Sequence, residues 1–170
     1  MTARERTTPP MNSDERTTLT AWLDFHRDTL LLKCAGLDDE QVREASVPPS
    51  ALTLQGLVQH LAEVERNWFR RVLDREAAPA IFDPSAHTGG HDGGFELADA
   101  VRFADAVAIW QREVDKARAI CIRHELDDVS PFMGTEVSLR WIYVHMVGEY
   151  ARHNGHADLI RERIDAATGV

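Results

Sequence analysis

Apolar residues recur every three or four positions along most of the chain, and this recurrence predicts four helices. The first has Asn12 or Ser13 as its cap, with Asp14 and Glu15 favourable in the opening turn. It carries Leu19, Trp22, Leu23, His26, Leu30 and Cys34 before Gly36 ends it. Thr53 is a good cap for the second, whose stripe is Leu54, Leu57, Val58, Leu61, Val64, Trp68 and Val72, with His60 at its edge. The third is predicted from Phe95 to about His124, and the fourth from about Val137 to Ala166. No stretch alternates as a strand would.

Between these stripes the chain is punctuated. A polar turn at Asp38 to Glu40 and the prolines of Val47 to Ser50 join the first two helices. Pro79 to Gly94 is a loop by composition, with two prolines, four glycines, and the histidines His87 and His91, read as solvated. Pro131 and Gly134 separate the last two helices. Residues 1–12 are polar and read as a disordered tail, leaving 13–170 as a single domain. Four long amphipathic helices in one domain predict an all-α four-helix bundle, antiparallel or with crossovers. Bundles of that kind build metal sites from side chains on facing helices.

Length and charge narrow the function classes. The chain has 170 residues, enough for one core. Its net charge of -9 argues against nonspecific duplex binding and against docking on anionic lipid. No apolar run approaches the ~20 residues of a membrane span, and the first ten residues have no hydrophobic signal-type stretch. A cytoplasmic location is the expectation. Cys34 and Cys121 form no metal motif or disulfide framework and read as small buried hydrophobes.

The candidate chemistry lies on the second and fourth helices. Glu149 and His153 are four residues apart, so their side chains leave the helix on one face. With Glu149 at zero and ~100° per residue, His153 falls near +40°, His156 near -20° and His145 near -40°. His145 and His153 are ~12 Å apart along the axis, too far to share an ion bound at ~2 Å. A metal would therefore use either 145/149 or 149/153. The same residues could instead make an ordinary helix-surface pair, or Glu149 could pair with Arg152 or Arg140. A metal reading gains weight because a carboxylate on an apolar face needs compensation. With His60 as a third donor, the set leaves an open coordination position of the catalytic type. His156 reads either as a hydrogen-bond partner to a ligand or as solvent-facing. No phosphate loop, nucleophile elbow or His-Glu-x-x-His motif is present.

The segments HLAEVERNWF around His60 and LRWIYVHMVGEYARHNGHADLIRERID near the C-terminus resemble the DinB-like superfamily, specifically its mini-circle-protein branch. The resemblance covers the chain after residue 12 and implies a four-helix bundle of DinB/YfiT type. It implies His60, Glu149 and His153 as the metal ligands, which selects 149/153. The same His, Glu, His set is similar to that of the zinc-binding N-terminal domain of mycothiol-dependent maleylpyruvate isomerases. Those isomerases carry an additional C-terminal domain, which this sequence, ending just after the predicted last helix, does not include, so their substrate is not carried over as an expectation. Zinc suits two imidazoles and a carboxylate, as do nickel, iron or manganese.

The function expected on this basis is a metal-dependent transferase or isomerase that presents a low-molecular-weight thiol, such as mycothiol, to a small-molecule electrophile. Tyr150 and His156 are the candidates for moving protons. The alternatives are a hydrolase using metal-bound water, or a noncatalytic metal- or ligand-binding module. A homodimer is implied by the resemblance.

Overall fold

The computed structural model describes residues 6–82, 95, 97 and 100–169. His87 and His91 lie outside the described residues. Among those described there are four α-helices and one two-stranded hairpin, so the fold is of the expected all-α class. The helices are α1 (Glu15–Cys34), α2 (Leu54–Glu65), α3 (Phe103–Cys121) and α4 (Leu139–Asp165). A π-helical stretch, Arg66–Leu73, prolongs α2, and a single 3-10 turn occupies Gln41–Arg43. None of the described helices is long and apolar enough to cross a membrane. The chain divides into two compact units, one of Met1–Leu54 with Tyr143–Val170, the other of Gln55–Ile142.

In the first unit, α1 is capped by Asp14 and not by Asn12 or Ser13. Asp14 has extended backbone, and its carboxylate accepts from the Thr17 amide at 3.0 Å and the Thr17 hydroxyl at 2.6 Å. A carboxylate makes the stronger cap at a positive helix end, while Ser13 turns its hydroxyl to Thr18. Trp22, expected on the apolar stripe, is 43% exposed and packs edge-on against Phe25. Residues 6–12 form no helix or strand, yet Arg6 donates to Thr29 and stacks over Phe25, and Pro9 is buried.

Polar contacts fix α4 to α1. Asn154 donates to the His26 carbonyl at 3.0 Å. Lys33 pairs with Asp158, and Arg161 donates to the carbonyls of Lys33 and Ala35 at 3.0 and 2.7 Å. The Arg161 guanidinium thus satisfies carbonyls that the end of α1 leaves without helical partners. Partner numbers rise together along the two helices, so α1 and this part of α4 run parallel. Parallel neighbours require a crossover connection, which selects between the two expected topologies for this pair.

The second unit is built on α2, every residue of which is buried. A helix enclosed on all sides must satisfy its polar groups internally. Gln55 donates to Gln59 at 3.2 Å and to the Val101 carbonyl at 2.9 Å. Glu113 of α3 accepts from Arg66 at 2.6 Å and from Arg70 at 2.9 and 3.0 Å. Arg123 and Asp74 pair at 2.9 Å beyond the ends of both elements. These contacts also rise together, so α3 runs parallel to α2 and its extension.

Two element boundaries differ from the periodicity. Helix α3 starts at Phe103 and not at Phe95, because Arg102 is extended and the Val101 carbonyl is taken by Gln55. Residues 137 and 138, expected in the last helix, belong to a strand. Strands β1 (Val129–Phe132) and β2 (Thr135–Ser138) pair antiparallel around Met133 and Gly134, whose φ values are +48° and +81°. Positive φ at both loop residues is the turn that matches strand twist in a two-residue hairpin. Four-residue strands are too short to show alternation. Trp68 packs on Phe132 and Trp141 at 4.9 and 5.3 Å, and Ser130 donates to the Leu73 carbonyl at 3.0 Å.

Burial alone would raise the Glu113 carboxyl, but the Arg66 and Arg70 guanidinium groups outweigh it and hold the group below its ordinary value of 4.5. The folded value lies below the unfolded one. The stability this group contributes is therefore present above pH 4.5 and lost as pH falls through the folded value. Glu113→Ala is expected to cost roughly 3 kcal/mol by stripping the carboxylate from half-buried Arg66 and one of the two carboxylates from buried Arg70, which keeps Glu76. Urea unfolding from neutral to acid pH checks both statements: the variant should start less stable and lose less on acidification.

Candidate metal centre

Helix α4 turns Ile142, Met146, Tyr150, His153, Ala157 and Ile160 into the interior at spacings of three and four. Glu149 and His153 stand on that same side, so the fold buries a carboxylate and an imidazole one turn apart. The carboxylate is compensated differently at its two oxygens. Oε1 accepts from Arg152 at 3.2 Å, while Oε2 lies 3.5 Å from His153 Nε2. Donor atoms on one tetrahedral zinc, bound at ~2.0–2.1 Å, stand roughly 3.4 Å apart. The Glu149–His153 pair already has that separation.

His60 comes from α2, and its ring stacks on Phe95 with centroids 3.8 Å apart and planes within 17°. The three side chains that sequence reasoning singled out are brought together: one donor atom from each of His60, Glu149 and His153 lies within 4.8 Å of the others. Their residues are 3%, 7% and 4% exposed. Two imidazole nitrogens and one carboxylate oxygen fit a divalent ion of zinc type with a position to spare. The donor chemistry and the spacing both suit that ion.

The other candidates are placed differently. His145, the competing neighbour of Glu149, is outside this group. Arg140 pairs with Asp127, leaving Arg152 as the guanidinium on Glu149. Tyr150 is fully buried. His156 is half-buried, with its Nδ1 3.3 Å from His153 Nδ1.

Phe95 was read from the sequence as the start of a helix, and its place over His60 left no local signal. Glu63, one turn after His60, is a second such residue. Its Oε1 accepts from the amides of Ile81 and Phe82 at 2.6 and 3.0 Å, which ties the chain leaving the second helical segment back to it. Its signal was visible: Gln55, Gln59 and Glu63 form a polar series at spacing four within an apolar helix.

Neither cysteine offers a nucleophile. Both are buried free thiols. Burial pushes the Cys34 thiol up to about 12, with Arg161 offsetting it only in part. The thiolate is the reactive form, so Cys34 is inert at neutral pH.

A family model described as mycothiol-S-transferase matches residues 18–166. No curated protein matches the chain.

A disulfide reagent such as DTNB is expected to leave Cys34 unlabelled in the native protein at about pH 8 and to label it on unfolding. Rapid native labelling, mapped to Cys34 by mass spectrometry, would contradict the burial and raised pKa.

Proposed function

The chain belongs to the mycothiol-S-transferase family, and from that premise we propose that it presents a low-molecular-weight thiol to a small electrophile at a divalent metal centre. The observation that carries the proposal is the grouping of His60, Glu149 and His153 within 4.8 Å. A divalent cation held there would keep the thiol sulfur as thiolate and leave a coordination position for it. Zinc suits the donors best; nickel, iron and manganese are the other fits.

The chain's own residues have definable parts in this scheme. His60 and His153 would each offer a neutral ring nitrogen, and Glu149 one oxygen whose charge offsets part of the cation's. Phe95 holds the plane of the His60 ring. Burial of all three donors keeps bulk water from competing for them. A free thiol of pKa ~8.5 is already a few per cent ionised at pH 7, so full ionisation contributes at most ~30-fold. Positioning thiol and electrophile together must supply more. Tyr150 and His156 receive no proton-transfer role, since one is fully buried and the other faces His153. We place this chemistry in the cytoplasm, where both free cysteines would stay reduced. The homodimer implied by the resemblance belongs to the same proposal.

The test compares wild type with His60→Ala and His153→Ala, by elemental analysis and by consumption of mycothiol with a small electrophile. Wild type is expected to retain metal and to consume thiol in a metal-dependent way, with both variants falling to the buffer rate. Equal metal content in all three proteins would overturn the proposal. Ester or amide turnover without thiol would replace it with a hydrolase using metal-bound water. Tight metal binding with no turnover of either kind would replace it with a noncatalytic metal-binding module.

A further inference from the structure

We propose that His156 is a positioning residue for this centre, fixing the tautomer and ring orientation of His153. The inference rests on the metal reading above and concerns a residue outside the donor group.

His153 and His156 are three residues apart on α4, so their side chains are neighbours on adjacent turns. Their ring centroids are 5.3 Å apart with planes inclined at 59°, and the two Nδ1 atoms are 3.3 Å apart. Two ring nitrogens hydrogen-bond only when one carries a proton and the other a lone pair. The opposite nitrogen of His153, Nε2, is the one 3.5 Å from Glu149 Oε2. A ligating Nε2 must present its lone pair, so neutral His153 carries its proton on Nδ1. That assigns the roles. His153 Nδ1 donates, His156 Nδ1 accepts, and His156 carries its own proton on Nε2.

A ligand histidine commonly gives its second N–H to a carboxylate or a carbonyl, which holds the ring and raises its basicity. Here an imidazole takes that part. It stands three residues along the same helix, so the helix itself sets the distance. With His156 accepting, the bond holds His153 in the tautomer that leaves Nε2 available, and it restrains the ring rotation that would carry Nε2 away from Glu149.

The test measures zinc(II) affinity by competition with a chromogenic chelator for wild type, His156→Phe, His156→Asn and His153→Ala. Phe keeps the ring and removes the acceptor; Asn supplies an acceptor oxygen close to the place of Nδ1. His156→Phe is expected to weaken zinc binding by ~10–100-fold. His156→Asn should recover most of that loss, and the metal-free melting temperatures of the two variants should match wild type. Undiminished affinity in His156→Phe would overturn the proposal. So would equal weakness of the Phe and Asn variants, or a lowered metal-free melting temperature that tracks the affinity loss. Loss as complete as in His153→Ala would make His156 a ligand instead of a positioning residue. A wild type that binds no zinc overturns the underlying metal reading as well, whereas a zinc-binding wild type indifferent to His156 overturns this inference alone.

Discussion

A carboxylate on the buried side of a helix must be compensated, and Glu149 is compensated unequally at its two oxygens. Arg152 takes Oε1, at the exposed edge of α4. Oε2 is turned to His153 Nε2. An imidazole balances a carboxylate less fully than a divalent cation does, so a cation is the stronger partner for the inner oxygen. With His60 adding a second imidazole to the group, the donors form the kind of set that holds a divalent ion with room for a guest.

The framework that holds these donors consists of regular helices, and regularity is what precision requires. Helix α2 is enclosed on every side and spends its polar residues on internal bonds, from Gln55 at one end to the arginines of its extension at the other. Helix α4 is clamped to α1 by Asn154, Asp158 and Arg161, beginning one residue after His153. His60 thus stands beside Gln59 and His153 beside Asn154, residues whose bonds are mechanical. The thiol chemistry proposed here depends more on such positioning than on ionisation, because a thiol near its own pKa gains little from being fully ionised.

Much of this was legible in the sequence because helical periodicity is long-ranged. Seven apolar positions along α2 and its extension were read correctly, and all seven are buried. Spacing put Glu149 on one face with both His145 and His153 and offered His60 as a third donor; the family resemblance selected the 149/153 pair. What was not legible depends on contacts between distant residues. The start of α3 is set by Gln55 capturing the Val101 carbonyl, 46 positions away. The hairpin hid because its four-residue strands are too short to alternate visibly and the second runs directly into the helix that begins at Leu139. The capping aspartate was displaced by one residue from the expected cap, since three adjacent polar residues compete and only backbone geometry decides. Phe95 over His60 could not be foreseen from spacing at all.

The most direct measurement is a zinc-edge anomalous difference map from crystals of the zinc-loaded protein. One peak is expected, bounded by His60, Glu149 and His153 at ~2.0–2.2 Å, with a further coordination position not filled by protein. A peak bound elsewhere, or ligation that leaves out the His60 imidazole, would contradict the metal centre and the thiol chemistry built on it.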